Sequence, residues 1–216
     1  MKNVQKMEHT KKLALFLIIS SMACLSCNQS QSRTDDTKDP KDVSEEHNKA
    51  KFDNTAEKKD AKFLMDAAVI NLTEIQLGRM AMQKGKSADV KDLGKMMEKE
   101  HRASEAELKA LAAKKIITVP DSTTQEVQDA SKKLEDVTGL EFDSKFSDMM
   151  VKGHKDAIAL FEKESKEGDD ADIKAWAQST LPVLRVHLDH SLMCKEKCDK
   201  EKKRGNKNTS SVGEVY

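Results

Sequence analysis

The chain has 216 residues, 35% of them charged and only 4% aromatic, and 38 basic side chains balance 38 acidic ones. That composition suits one main helical domain with a modest core and disfavours an aromatic-rich β-sandwich. A zero formal net charge excludes a broad basic field, so no nucleic-acid partner is expected.

At the N-terminus, Lys6, Lys11 and Lys12 precede an apolar run from Leu13 to Leu25. The run is too short to span a bilayer and has the length of a signal-peptide core. Ser26-Cys27 ends it, and polar Asn28-Gln29-Ser30 follows. Residues 1–27 therefore resemble a bacterial lipoprotein signal, with Cys27 as the residue that takes the lipid. Cys24 stands where a leucine is usual, three places before Cys27. An untethered secretory signal is the alternative. The expected location is the bacterial cell envelope, outer membrane or periplasm, with the membrane reached through an N-terminal lipid. Residues 28–55, rich in Asn, Gln, Ser, Asp and Lys and interrupted by Pro40, read as a disordered tether.

From residue 56 the pattern turns helical. Phe63, Ala67, Ile70, Glu74, Leu77 and Ala81 recur at spacings of three and four, which predicts a helix over 56–83. Lys84-Gly85-Lys86 ends it, and Ser87 is an N-cap for the next. Gly85-Lys86-Ser87 is not a phosphate loop, because Met80 occupies the place of the required first glycine. Val90, Leu93, Met97, His101, Ser104, Leu108 and Leu111 mark a second helix over 88–115. A loop at Pro120-Asp121 leads to a shorter helix over 123–137, closed by Gly139. Phe142, Phe146, Met150, His154, Ala157 and Phe161 mark a third long helix over 141–167. Gly168-Asp169-Asp170 forms a turn. Ile173, Ala177, Thr180, Leu184, His187 and Ser191 mark a fourth helix over 171–202, with Pro182 expected to bend it. Residues 204–216 read as a disordered tail. Two helical hairpins and one long crossover give the expected fold: all-α, a ferritin-like four-helix bundle over 56–203 with one extra short helix in the crossover.

One hexapeptide pattern occurs twice. Met96-Met97-Glu98-Lys99-Glu100-His101 and Met149-Met150-Val151-Lys152-Gly153-His154 both read M-M-x-K-x-H. Each sets a histidine on an apolar stripe, and Glu74 and His187 interrupt the other two stripes. A buried carboxylate is costly unless paired or bound to a metal, and histidine is the commonest metal ligand. Glu74, His101, His154 and His187 are thus candidate ligands for iron or another transition metal. At 1.5 Å per residue, Glu74 lies ~17 Å, His101 ~23 Å, His154 ~22 Å and His187 ~28 Å from its own hairpin turn. If both turns lie at one end of the bundle, His101 and His154 share a layer, with Glu74 one turn away on one side and His187 one turn away on the other; helix bending then brings them to one site. Glu98 and His101 form the E-x-x-H step used by di-iron bundles, but Val151 breaks its second copy. A hydrogen-bonded polar network without metal is the competing reading. The methionine pairs serve as core filler or as soft ligands for Cu(I).

His190, Cys194 and Cys198 continue along one face of the fourth helix. They form a possible second cluster, open to three readings: a disulfide, a metal clip or two incidental thiols. Cysteines four apart in a regular helix are poorly placed for a bridge.

Several stretches together are similar to one bacterial family, the domain of unknown function 4142. They are Phe63-Leu64-x2-Ala67-Ala68, Glu74-Ile75-x-Leu77-Gly78-x2-Ala81, Val90-Lys91-x-Leu93, Met97-x2-Glu100-His101, Gly139-x2-Phe142-Asp143, Met150-Val151-x2-His154 and Leu181-Pro182-x-Leu184-x2-His187-Leu188. The resemblance implies a ferritin-like helical bundle, export and no established activity. It also implies polar motif positions at Glu74, Glu100, His101, His154 and His187, with Gly153 replacing an acidic residue before the second histidine. The function expected is an envelope-anchored bundle that holds a metal or small ligand through interior Glu and His side chains. The alternatives are a non-enzymatic structural or interaction module and, third, an oxidase.

Overall fold

The computed structural model describes residues 38–210. Among them are six α-helices and no strands: α1 (Pro40–Lys51), α2 (Thr55–Lys84), α3 (Ala88–Lys114), α4 (Gln125–Glu135), α5 (Gly139–Glu167) and α6 (Ala171–Ser210). None of them is long and apolar enough to cross a membrane. The signal segment and Cys27 lie outside the described residues.

Two expectations about the ends are corrected. α1 lies inside the stretch read as a disordered tether. Its apolar content is low, so no hydrophobic stripe announces it. It is set instead by Pro40 in the first turn, by the Asp39 carboxylate accepting from the Lys41 N–H, and by a clasp. In that clasp Asn48 Nδ2 donates to Thr118 O at 2.7 Å, and the Thr118 N–H returns to Asn48 Oδ1 at 2.8 Å. At the other end α6 continues to Ser210, past the expected start of a tail at residue 204, and it runs through Pro182 without a break.

Polar caps begin the helices. Asn54, Ser87 and Thr124 accept from the third residue beyond each of them, and Asp170 accepts from Asp172 and Ile173. The end of α3 is unusual. Ile116 takes a positive φ of 58°, and the Ile116 and Ile117 N–H groups turn back to Ala113 O and Ala112 O. That is the Schellman pattern, in which glycine normally occupies the left-handed position.

α2 packs along α3 and α5 along α6, while α2 also meets α5 and α3 meets α6. Gly78 and Gly94 let the first hairpin close tightly: a Cβ on Gly78 would stand 2.6 Å from Gly94 O. Two buried aspartates fix how the hairpins face each other. Asp143 at the start of α5 accepts the Lys86 and Ser87 N–H groups of the α2–α3 turn, both at 2.8 Å. Asp60 at the start of α2 accepts the Asp169 and Asp170 N–H groups of the α5–α6 turn, at 3.3 and 3.0 Å. Lys115 at the end of α3 pairs with Asp170 and Asp172 at the same place. The two turns therefore lie at opposite ends, not at one end as the depth count required. The crossover must run the length of the hairpins, and α4 lies along α2 within it, its C-terminal carbonyls held by Lys84.

Candidate functional site

At mid-height the apolar interior is interrupted by one polar layer. His101 on α3, His154 on α5 and His187 on α6 are each at most 2% exposed. One ring nitrogen from each lies within 4.8 Å of the others. Ring centroids are 5.2 Å apart from His187 to either neighbour and 5.7 Å apart between His101 and His154. Asn71 and Glu74 of α2, both buried, close the fourth side.

The hexapeptide explains two of these positions. Met97 and Met150 stand four residues before His101 and His154, so each histidine sits one turn along the stripe that its methionine anchors. Depth explains the meeting across helices. Measured from the α2–α3 turn, Glu74 lies ~17 Å in and His101 ~21 Å; His154 lies ~17 Å beyond Asp143, which binds that turn. Side chains lean towards the N-terminus of their own helix. In antiparallel neighbours the lean therefore closes the remaining gap from both sides.

Each histidine has an outer nitrogen facing an acceptor. His101 Nδ1 is 2.9 Å from Asn71 Oδ1, an oxygen identified as acceptor because Asn71 Nδ2 donates to Glu105 Oε2 at 3.3 Å. His154 Nδ1 is 2.9 Å from the Met150 carbonyl, and His187 Nε2 is 2.8 Å from Glu100 Oε2. With three N–H groups donated outwards, the three inner nitrogens carry lone pairs. His101 Nε2 is buried without a hydrogen-bond partner. His154 Nε2 and His187 Nδ1 face each other at 3.3 Å, and in these tautomers neither has a proton to offer.

An extra proton is a poor remedy. Burial pushes His101 well below the ordinary imidazole value, helped by the two neighbouring histidines. Burial takes His154 down to about 4 and lowers His187, with Glu100 opposing the shift at His187. Glu74 moves the other way: burial raises its carboxyl to about 8. Its Oε1 is 3.9 Å from His154 Nδ1, the outer nitrogen, so Glu74 stands behind His154 and not among the inner nitrogens. Its Oε2 is buried without a partner.

The other candidates separate clearly. Glu100 supports His187 from outside, with its side chain 41% exposed. Glu98 is not in the layer; Arg79 and Arg102 hold it at the surface at 2.8 and 3.0 Å. The E-x-x-H spacing therefore does not mark a ligand pair. Cys194 and Cys198 are buried free thiols near the opposite end of α6 from its N-terminus, while His190 is exposed. Asn71, Glu105 and the Met150 carbonyl are supporting groups that the stripe analysis did not single out. Asn71 had a signal: Ala67, Asn71, Glu74 and Gly78 share the four–three–four spacing of one helical face.

An all-α domain with a buried imidazole layer is thus the class that fold and site define. The chain belongs to the family described as domain of unknown function (DUF4142), whose model matches residues 45–192. The match begins inside α1 and ends in α6. No curated protein and no solved structure matches it.

Proposed function

We propose that this is an exported, lipid-anchored, ferritin-like four-helix bundle that binds a first-row transition-metal ion through His101, His154 and His187. The bundle helices are α2, α3, α5 and α6, and α4 belongs to the long crossover. Two hairpins joined by one full-length crossover support that arrangement.

One observation carries the metal reading: three buried ring nitrogens with lone pairs converge while the outer nitrogen of each ring faces an acceptor. Metal-bound histidines are oriented in this way by second partners. The 3.3 Å between His154 Nε2 and His187 Nδ1 fits two imidazoles sharing a tetrahedral ion, for which bonds of 2.0–2.1 Å give ~3.3–3.4 Å. Nitrogen donors suit zinc, copper, iron or nickel. Three protein ligands leave a tetrahedral position for water or a small ligand.

The test is elemental analysis of protein purified without chelator and reconstituted with Zn(II), Fe(II) or Co(II). About one ion per chain is expected, absent from His101→Ala and His187→Ala. Glu100→Gln is expected to weaken the site by about 10–100-fold, the usual effect of losing an outer partner. A folded wild type that takes up none of these ions contradicts the proposal.

A second reading is an envelope structural or interaction module with a metal-free polar network. The 3.3 Å His154–His187 contact favours it if one tautomer reverses. It leaves the buried His101 Nε2 without a partner. Export and lipid attachment at Cys27 have a separate test. The mature N-terminus is expected to carry a diacylglycerol-sized mass increment, and its absence removes the anchor.

A further inference from the structure

Most of the buried sulfur lies on one side of the histidine layer, towards the α2–α3 turn. Cys194 and Cys198 are 4% and 3% exposed and share an apolar cluster with Met97 and Met150. Four residues apart on α6, the two thiols project to the same side, one turn from each other. Both sulfurs lie 3.5 Å from a single oxygen, Ser147 Oγ, whose own proton goes to Asp143 O at 2.7 Å. Both are free, and parallel side chains on one helix resist closure to a disulfide. Beside Cys194 a surface cavity of about 250 Å³ opens between α3 and α6. Its lining includes Cys194, the thioethers of Met96 and Met193, the imidazole of His190 and the carboxylates of Asp89 and Asp92.

Core filling accounts for one buried cysteine. It does not account for two that face one hydroxyl, one of them lining a cavity that also holds two thioethers and an imidazole. We propose that Cys194 and Cys198 form a second, soft-metal site, separate from the three histidines, that binds a monovalent copper ion between the two sulfurs.

Ligand softness selects the ion. Thiolates and thioethers favour Cu(I), whereas carboxylate and water favour harder cations. Two Cu–S bonds form, two S–H bonds break and their protons pass to solvent, and copper stays monovalent throughout. The product carries one negative charge. Lys197, which lines the cavity and pairs with Asp89, lies beside it.

The experiment uses the chain with Cys24→Ser and Cys27→Ser as its reference protein, which removes the two thiols outside the described residues, and Cu(I) supplied anaerobically as its acetonitrile complex, with a chromophoric Cu(I) chelator as competitor. The reference protein is expected to retain one ion with an ultraviolet thiolate-to-copper band. That band should disappear in Cys194→Ala/Cys198→Ala and persist in His101→Ala/His187→Ala. A reference protein without the band, or a band that survives loss of both cysteines, overturns the proposal. Alkylation of the unmutated chain gives a measurement that does not depend on the variants folding. Cu(I) is expected to slow modification of Cys194 and Cys198 by at least tenfold in peptide mass maps, and equal rates with and without copper overturn the site.

Discussion

The interior on one side of the histidine layer differs in chemistry from the interior on the other. Towards the α5–α6 turn the core is aromatic and aliphatic. Phe63, Phe161 and Trp176 pack ring against ring at 5.0–5.9 Å, and Leu64, Leu108, Ile173 and Leu184 surround them. That cluster holds no sulfur, and one buried methionine, Met65, lies outside it at the same end. Towards the α2–α3 turn, Met97, Met150, Cys194 and Cys198 are buried among Phe142, Phe146 and Leu77, with Met80, Met96 and Met149 at the edge. Rigid rings specify one packing, whereas flexible thioethers adapt to irregular space. The polar layer between them costs desolvation, which the raised Glu74 and lowered histidine pKa values express directly. One end of the molecule is thus built chiefly for stability. The middle and the other end carry the donors that can bind something.

The largest expected effect is at the aromatic end. Phe161→Ala should cost about 3–5 kcal/mol in urea denaturation, through lost burial and a cavity. If it costs under about 1 kcal/mol, the ring cluster is not the stabilising half.

The polar layer comes next and is read through pH on metal-free protein. Glu74 has its folded value raised from 4.5 to about 8. Its contribution to stability is full below pH 4.5 and is lost as pH rises through 8. The three histidines are depressed, His154 to about 4. Their contribution is present above 6.5 and is lost as pH falls through the folded values. Between 4.5 and 6.5 the two trends oppose each other. Between pH 6.5 and 8 the histidine trend is over, and the raised carboxyl of Glu164, at about 7, titrates alongside Glu74; Glu74→Gln should therefore lose about 1.5–2 kcal/mol less than the wild type across that window. Parallel curves for the two proteins would remove Glu74 from the buried layer.

The sulfur end should tolerate a change of shape. Met150→Leu keeps volume and should cost under about 1.5 kcal/mol, well below Phe161→Ala. A loss as large as that of the ring deletion would mean that the two halves are packed with equal rigidity. The smallest effect lies outside both halves. Ile116 is a β-branched residue at positive φ and is 70% exposed. Ile116→Gly should stabilise by about 0.5–1 kcal/mol, because strain is relieved and little burial is lost. A lower urea midpoint for Ile116→Gly would contradict that account of the turn.

Periodicity made the long helices and their inward histidines readable, because burial on one face imposes spacing on the sequence. It could not orient the hairpins. Asp143 and Asp60, the residues that place the two turns at opposite ends, look like ordinary helical acids until their backbone partners are seen. The depth count still located the layer, because a residue near mid-height is about equally far from either end. Glu98 and Glu100 show the limit of motif spacing. Both precede His101 on one helix, yet arginines draw Glu98 outwards while Glu100 reaches His187 on another helix. α1 stayed hidden because its stability comes from caps and the Asn48 clasp, which carry no hydrophobic period.

The central claim concerns which atoms hold an ion, so the most direct measurement is the ligand sphere of Co(II)-loaded wild type by X-ray absorption. The account predicts imidazole nitrogens as the protein ligands, with multiple scattering from three rings and no sulfur. A sphere containing sulfur, or one with fewer than two imidazoles, would place the ion elsewhere and leave His101, His154 and His187 as a metal-free network.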